Sequence, residues 1–233
     1  MAETLQWLNL DSLSFPPIEQ ALIEPNGLLA VGGDLSPERL ISAYSNAIFP
    51  WFNQGEPPLW WSPSPRAIIF VDNISINRTL RKILRQQHFT VTINTAFNDV
   101  LNYCANAPFR KEGTWINNDM KMAYLNLHQL GIAHSIEVWI DEQLVGGLYG
   151  VAINGYFSGE SMFYIKSNAS KIALVYLAQH LKSQNIQFID CQINNPFLET
   201  MGCVDISREK FLHLHNHALK DKISPNFWQA RTL

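Results

Sequence analysis

The sequence predicts an α/β protein with a mixed sheet, preceded by a small loop-rich N-terminal domain. Of its 233 residues, 47% are hydrophobic, and eight of the twelve prolines lie before residue 64. From residue 66 onward, segments with strand and helix periodicity alternate. This apolar content excludes a disordered chain, and no apolar run approaches the roughly 18 residues of a membrane span. We therefore expect domains over residues 1–65 and 66–233.

Within the N-terminal segment, only residues 36–46 have the pattern of a helix. Ser36 suits its N-cap, Pro37 its first position and Glu38 its first turn. The remainder is rich in proline and tryptophan, which is typical of loops.

After residue 66 the predicted elements follow one another closely. Strands are expected over 67–71, 90–93, 134–140, 143–153, 156–158 and 187–193. Helices are expected over 73–87, 97–105, 118–130, 170–182 and 208–219. Residues 141–142 suit a hairpin turn, so neighbouring strands run antiparallel in the middle of the sheet. Because neither GxGxxG nor GxxxxGK[ST] occurs, the sequence lacks a glycine-rich loop for nucleotide phosphates.

The net charge of the chain indicates no particular partner, and the cysteines indicate no disulfide framework. The formal net charge is −3, and the three cysteines include no CxxC pair, which favours reduced thiols. His213 and His217 share a helix face, but the nearby residues add too few ligands, so we expect no metal site. The N-terminus has no basic stretch before an apolar segment, which predicts a cytoplasmic protein that does not associate with membranes.

One face of the helix over 73–87 carries only positive charges. Arg78, Arg81, Lys82 and Arg85 recur at helical spacing, and no acidic residue occurs between Asp72 and Asp99. Such a face is either simply solvated or binds the backbone of a nucleic acid.

A carboxylate and a carboxamide lie close together in the strand over 187–193. Strand alternation predicts that Asp190 and Gln192 share one face, with Cys191 on the other. In that arrangement Asp190 orients the Gln192 carboxamide, and Cys191 does not act as a nucleophile with Asp190. A polar pair that only serves a turn is the alternative.

Ten motifs in order along the chain resemble those of the leucyl/phenylalanyl-tRNA-protein transferases. In sequence they are EPNGLLA at 24–30, GGDLSP at 32–37, IFPWF at 48–52, WWSP at 60–63 with PR at 65–66, EGTWI at 112–116, HSIEVW at 134–139, GESMF at 159–163, NASK at 168–171, IDCQ at 189–192 and NFW at 226–228. The resemblance covers most of the chain. It implies a GNAT-like acyltransferase domain, similar to that of the Gcn5-related N-acetyltransferases, after a small N-terminal domain.

The resemblance also implies an activity and its partners. Leu or Phe, and less readily Met, would pass from aminoacyl-tRNA to the α-amine of proteins that begin with Arg or Lys, in the N-degron pathway. No cofactor is implied. An α-amine has a reference pKa of about 7.7–8.0, so direct attack on the ester needs no covalent relay.

By resemblance, individual residues acquire roles in that reaction. Gln192 receives the amine and Asp190 polarises Gln192, while Glu160 and Asn195 line the acceptor side. Trp115 stacks on the terminal adenosine of the tRNA and Trp51 closes the site. The donor side chain enters an apolar pocket whose candidate residues are Leu148, Phe157, Met162, Leu174, Leu177 and Leu181; the three leucines at 174, 177 and 181 could equally be ordinary core.

Two other functions remain compatible with the residues alone. A CoA-dependent N-acetyltransferase would need a pyrophosphate loop, but the corresponding stretch, KSNASK at 166–171, lacks the expected glycines. A non-catalytic tRNA-binding module would need only the basic helix face and Trp115.

Overall fold

The computed structural model describes residues 5–106 and 115–233. Within these residues the strands are β1 (Gln6–Leu8), β2 (Leu28–Gly32), β3 (Phe49–Pro50), β4 (Leu59–Trp61), β5 (Arg66–Phe70), β6 (Thr90–Ile93), β7 (Ala133–Ile140), β8 (Gln143–Ile153), β9 (Tyr156–Tyr164), β10 (Phe188–Gln192), β11 (Val204–Ile206) and β12 (Arg231–Thr232). The α-helices are α1 (Pro37–Ser45), α2 (Arg78–Gln86), α3 (Phe97–Ala105), α4 (Asn118–Gln129), α5 (Ala169–Lys182), α6 (Pro196–Thr200) and α7 (Arg208–Ala218).

The N-terminal strands form a sheet of their own, in the order β1-β2-β4-β3. Helix α1 follows β2 and begins as the sequence predicts, because the Ser36 side chain accepts a hydrogen bond from the backbone N–H of Arg39 and Pro37 occupies the first position. Its inner face, which includes Leu40, Ala43 and Tyr44, is buried.

The other eight strands form a second sheet in the order β11-β5-β10-β9-β8-β7-β6-β12. Among the pairings of this sheet that the structure describes, β9 with β10 is the one parallel pair. The predicted α/β class with a mixed sheet is therefore confirmed. Strands β7 and β8 form the predicted hairpin, and both turn residues, Asp141 and Glu142, have positive φ.

Helices cover both faces of the large sheet. Helix α5 packs on one face against β7, β8 and β9, and α2 packs beside α5. Helices α3 and α4 pack on the other face, and α1 contacts both β8 and α4. The sheet is thus buried between two hydrophobic clusters, the larger of which includes residues from the N-terminal sheet.

The predicted domain boundary at residue 65 falls between β4 and β5, which belong to different sheets. However, the N-terminal residues Leu40 and Trp60 belong to the same hydrophobic cluster as Phe211 of α7. The division into two domains therefore remains a prediction.

One helix begins later than the sequence analysis predicts. Helix α2 starts at Arg78 rather than at residue 73, because Asn77 acts as its N-cap and its side chain accepts a hydrogen bond from the Leu80 N–H. Strand β9 is also longer than expected and continues to Tyr164, so the GESMF motif lies within it.

A buried ion pair joins β5 to β10. The Arg66 guanidinium donates to both carboxylate oxygens of Asp190, from Nε at 2.9 Å and from Nη2 at 2.7 Å. Both side chains are almost fully buried. Arg66 also donates to the backbone oxygen of Ala47 and lies over the rings of Phe49 and Phe211. The pair therefore ties the large sheet to both the N-terminal segment and α7.

We predict that Arg66→Met lowers the free energy of unfolding by about 3–5 kcal/mol, since it leaves the Asp190 carboxylate buried without its partner. Urea unfolding measures this change. The double variant Arg66→Met/Asp190→Asn should recover part of the loss. As a control, Lys182→Met breaks an exposed ion pair with Asp72 and should cost at most about 1 kcal/mol. Equal losses in Arg66→Met and Lys182→Met would contradict the prediction.

Candidate functional site

A cavity of about 460 Å³ opens where β9 and β10 separate. These two parallel strands share one registered pair, Ser158 with Asp190. Two residues further along each strand, Glu160 and Gln192 both line the cavity. A cavity of this size is in the usual range for a small-molecule site.

The walls of the cavity differ in character. Its polar lining residues include Glu160, Ser161, Gln192 and Asn195. Its apolar lining residues include Leu148, Met162, Leu174, Leu177, Phe197 and Leu198. The cavity therefore presents hydrogen-bonding groups beside a surface that suits an apolar side chain.

A bulge in β10 places Gln192 at the cavity. The pairing of β10 with β5 shifts by one residue between Asp190 and Gln192, and Gln192 has a left-handed φ of 58°. The Asp190 carboxylate stabilises this conformation by accepting a hydrogen bond from the Gln192 backbone N–H at 3.0 Å. Arg66 in turn holds the carboxylate.

The prediction that Asp190 orients the Gln192 carboxamide is therefore wrong. Cys191 and Gln192 both line the cavity, whereas Asp190 is buried beneath it. The strand alternation on which the prediction depended is interrupted by the bulge. Asp190 orients the backbone of Gln192 and not its carboxamide.

The Gln192 carboxamide instead begins a chain of hydrogen bonds. Its Nε2 donates to Ser158 Oγ at 2.7 Å, and Ser158 Oγ donates to Glu160 Oε1 at 3.0 Å. The other oxygen of Glu160 accepts from the Tyr124 hydroxyl at 2.7 Å. The hydroxyls of Tyr124 and Tyr44 are 2.9 Å apart and hydrogen-bonded. The chain thus extends from β10 to helix α1.

Glu160 titrates near neutral pH. Burial raises the pKa of its carboxyl group to about 7, although the hydrogen bonds from Tyr124, Tyr44 and Ser158 act in the opposite direction. The negative charge of Asp190 raises it further. No cation pairs with Glu160 among the described residues. At pH 7 both its charged and its neutral form are populated.

The thiol of Cys191 remains protonated at neutral pH. Contact with the Cys203 side chain raises its pKa, and burial raises it further. Although Cys191 lines the cavity, these surroundings do not activate it as a nucleophile.

Four of the six predicted pocket residues line the cavity: Leu148, Met162, Leu174 and Leu177. Phe157 and Leu181 do not. The Phe157 ring stacks on Trp228, from the C-terminal segment, with 5.5 Å between ring centroids. It lies so close to Gly150 that a Cβ there would be 2.5 Å from the ring. Leu181 is fully buried in the core.

The two tryptophans predicted to bind adenosine lie on different elements. The Trp115 ring contacts the Tyr124 ring edge-on. Since the Tyr124 hydroxyl donates to Glu160, Trp115 adjoins the hydrogen-bonded chain at Tyr124. Trp51 is 41% exposed and packs against Trp61 of β4. Trp51 and Trp115 thus pack against different rings, and neither of these two contacts joins one tryptophan to the other. Residues 112–114 of the EGTWI motif lie outside the described residues.

Asn195 and the basic residues of α2 are at the surface. Asn195 lines the cavity mouth and caps α6, since its Oδ1 accepts from the Leu198 N–H. Arg78, Arg81, Lys82 and Arg85 are all exposed on α2.

Over the described ranges, 5–106 and 115–233, no cluster of three potential metal ligands occurs, and no helix is long and apolar enough to cross a membrane.

Sequence reasoning missed four residues of the site: Arg66, Tyr44, Tyr124 and Ser158. Strand alternation in the GESMF region could have identified Ser158, which lies two residues before Glu160. The other three are distant in sequence from their partners, and no local pattern marks them.

Fold and site together define a protein in which an apolar pocket adjoins a chain of hydrogen-bonding groups where two parallel strands separate. Family models for the leucyl/phenylalanyl-tRNA protein transferase and for its N-terminal domain match residues 68–216 and 33–64. A relative of that name from Colwellia psychrerythraea is 59% identical over 100% of this chain and 99% of its own length. Another, from Idiomarina loihiensis, is 53% identical over 95% and 94%. The chain belongs to the leucyl/phenylalanyl-tRNA-protein transferase family.

We predict that Tyr124→Phe raises the titration midpoint of Glu160 by roughly one pH unit, because the charged carboxylate loses a hydrogen-bond donor. NMR titration of protein labelled with ¹³C at the glutamate carboxyl measures the midpoint, and Glu160→Gln assigns the signal. Tyr176→Phe serves as the control, since Tyr176 contacts Phe89 in the other cluster. An unchanged or lower midpoint in Tyr124→Phe would refute the assigned hydrogen bond.

Proposed function

We propose that this protein transfers Leu or Phe, and less readily Met, from aminoacyl-tRNA to the α-amine of proteins that begin with Arg or Lys. The modified N-terminus then directs those proteins to degradation in the N-degron pathway of the cytoplasm. Membership of the family supports the donor and the type of acceptor. Residues 1–65 form the small N-terminal domain of this enzyme and residues 66–233 its GNAT-like catalytic domain.

The observation that carries the proposal is the cavity with its apolar wall beside Gln192 and Glu160. Leu148, Met162 and Leu174 offer shape and apolar area without a charge. Such a wall accepts Leu, Phe or Met and disfavours charged side chains. Branching at Cβ places bulk close to the ester, which disfavours Ile and Val.

The reaction is a direct aminolysis. The acceptor amine attacks the ester carbonyl, a C–N bond forms, and the C–O bond to the tRNA breaks after a tetrahedral intermediate. The amine gives up a proton and the ribose oxygen leaves as a hydroxyl. At neutral pH part of the amine is already uncharged, so alignment of the two groups contributes much of the rate.

In this reaction Gln192 aligns the amine. Its Nε2 is engaged with Ser158, and its carbonyl oxygen accepts an N–H of the amine. Asp190, with Arg66, stabilises the left-handed backbone that presents the carboxamide. Glu160 and Asn195 lie on the acceptor side, where the Glu160 carboxylate attracts the cationic N-terminal residue.

The tRNA is bound through its terminal adenosine and its backbone. Trp115 stacks on the adenine, and Trp51 closes over it; such stacking is worth roughly 1–3 kcal/mol per base. The exposed cations of α2 neutralise phosphates further along the acceptor stem.

The proposal is tested with radiolabelled donors. The protein is incubated with Leu-tRNA or acetyl-CoA, together with a peptide that begins with Arg or Met, and label that resists ester hydrolysis is counted. We expect label from Leu-tRNA on the Arg peptide alone, and a loss of at least tenfold in Gln192→Ala. Transfer from acetyl-CoA would indicate an N-acetyltransferase. Binding of tRNA without any transfer would indicate a non-catalytic module.

We predict that Leu174→Ala changes donor preference and Leu181→Ala does not. Both residues are buried on α5, and either truncation destabilises the fold by about 2–5 kcal/mol. Only Leu174 lines the cavity, so its loss should lower kcat/KM for Leu-tRNA relative to Phe-tRNA, which fills the added space. The measurement is the ratio of the two kcat/KM values below the melting temperature of each variant. A changed ratio in Leu181→Ala, or none in Leu174→Ala, would place the donor pocket elsewhere.

We also predict that replacing Arg78, Arg81, Lys82 and Arg85 by Ala weakens binding of all tRNAs alike. The plot of log K against log salt should become shallower by roughly 0.7–0.9 for each phosphate that the protein no longer neutralises. Alanine favours the helix, so α2 should persist, which circular dichroism verifies. A slope equal to that of the parent protein would mean that this face is only solvated.

A further inference from the structure

Ser158 connects two residues of the cavity, Gln192 and Glu160, and the proposed reaction uses it only as a partner of Gln192. It is fully buried on β9, opposite Asp190 in the parallel register. Its hydroxyl connects Gln192 to Glu160, with 2.7 Å on the Gln192 side and 3.0 Å on the Glu160 side. The Tyr156 hydroxyl is a third neighbour. Since the Ser158 hydroxyl has a single proton, it donates to only one of these neighbours at a time.

The charge of Glu160 determines the direction in which Ser158 donates. An ionised carboxylate only accepts hydrogen bonds, so the Ser158 proton is directed to Glu160. The Ser158 oxygen must then accept from Gln192, which directs the Gln192 NH2 group to Ser158. The carbonyl oxygen of the carboxamide is consequently directed away from Ser158 and is available to an amine.

A protonated Glu160 removes this constraint. Its O–H can donate to the Ser158 oxygen, and the Ser158 proton is then free to donate to the Gln192 carbonyl oxygen. Rotating the carboxamide by half a turn permits that bond and places the NH2 group where the carbonyl oxygen had been. An NH2 group cannot accept an N–H of the acceptor amine.

We propose that Ser158 is a positioning residue that transmits the charge of Glu160 to the orientation of the Gln192 carboxamide, so that the site accepts an amine only while Glu160 is ionised. The effect of this orientation on catalysis rests on the proposed function, because the amine is the acceptor in that reaction. Asp190 does not perform this task, because it contacts the backbone N–H of Gln192 and not the carboxamide.

The groups around Glu160 allow such a switch near neutral pH. It is faced by Ser158 on its own strand, Tyr124 from α4, Tyr44 from α1 and Asp190 from β10, whose charge Arg66 compensates. Burial raises the pKa of Glu160 to about 7. As the pH falls through this value Glu160 becomes protonated, and the productive orientation of Gln192 is lost.

The first test observes the carboxamide without any substrate. In protein labelled with ¹⁵N at the glutamine side chains, the Gln192 NH2 signals, assigned with Gln192→Glu, are followed from pH 5.5 to 8.5. We expect them to move with a midpoint near 7 in the parent protein and to stop moving in both Ser158→Ala and Glu160→Gln. Two variants are used so that a folding defect in one leaves the other to decide.

The matched control is Ser135→Ala. Ser135 is also a buried serine that donates to a glutamate two residues along its strand, Glu137, but on β7. In this variant the Gln192 signals should titrate as in the parent protein. Gln192 signals that do not titrate in the parent protein, or that titrate unchanged in Ser158→Ala or Glu160→Gln, would overturn the proposal.

The second test compares pH profiles of transfer. Between pH 8 and pH 6 the ionised fraction of a group with a pKa of about 7 falls roughly tenfold. The α-amine of the acceptor also titrates, but equally for every variant. Because the Glu160 charge also attracts the cationic acceptor, the comparison uses kcat at saturating acceptor. We expect kcat to fall roughly tenfold less over this range in Ser158→Ala than in the parent protein or Ser135→Ala; equal profiles would overturn the role of Ser158 in catalysis. If the parent protein transfers nothing from aminoacyl-tRNA, the proposed function fails, while the NMR titration still decides whether Ser158 orients Gln192.

Discussion

The buried ion pair between Arg66 and Asp190 is the interaction on which the rest of the site depends. A carboxylate without a partner would be strongly destabilising at this depth, and Arg66 meets it with two hydrogen bonds. The Tyr156 hydroxyl adds a third, at 2.5 Å. Because Arg66 and Tyr156 hold the carboxylate in place, it can accept a hydrogen bond from the Gln192 backbone N–H. This bond stabilises the left-handed backbone of Gln192, a conformation that residues other than glycine rarely adopt.

The separation of β9 and β10 creates the space that this anchor serves. Parallel strands that remained paired would place Glu160 and Gln192 within a continuous ladder. Instead the registered pairing is confined to Ser158 and Asp190, and Glu160 and Gln192 both line a cavity. Helix α5 supplies Leu174 and Leu177 to the apolar wall, so the cavity is floored by the same helix that covers this face of the sheet.

Two carboxylates in one small region thus acquire different properties from their surroundings. Asp190 forms an ion pair with the Arg66 guanidinium. The described side chains that hydrogen-bond Glu160, by contrast, all do so through hydroxyl groups. Hydroxyls stabilise a charge less than a cation does, which is why burial dominates the pKa of Glu160. The Tyr44 hydroxyl extends this environment to α1, so the N-terminal segment contributes to the electrostatics of the cavity.

The sequence by itself determined the family and most of the elements after residue 66. It did not predict strands β1 to β4, which lie in the segment expected to be loops, nor α6, β11 and β12. Local signals predicted α1 with its Ser36 cap, the hairpin at Asp141 and Glu142, and the mixed order of strands. Caps and turns could be predicted because their hydrogen bonds form within a few residues. The start of α2 was misplaced because Asn77 is one of several polar residues that could have capped it.

Tertiary structure decided the arrangement of the site. Alternation along β10 is a local rule, but the bulge at Gln192 depends on the Asp190 carboxylate that Arg66 holds from a strand 124 residues away in sequence. Phe157 was expected in the pocket, and it packs instead on Trp228, which the C-terminal segment brings to that face. Periodicity indicates which side chains are apolar and which share an unbroken strand face. Which partner each side chain meets depends on contacts between residues far apart in the chain, and these exist only in the folded protein.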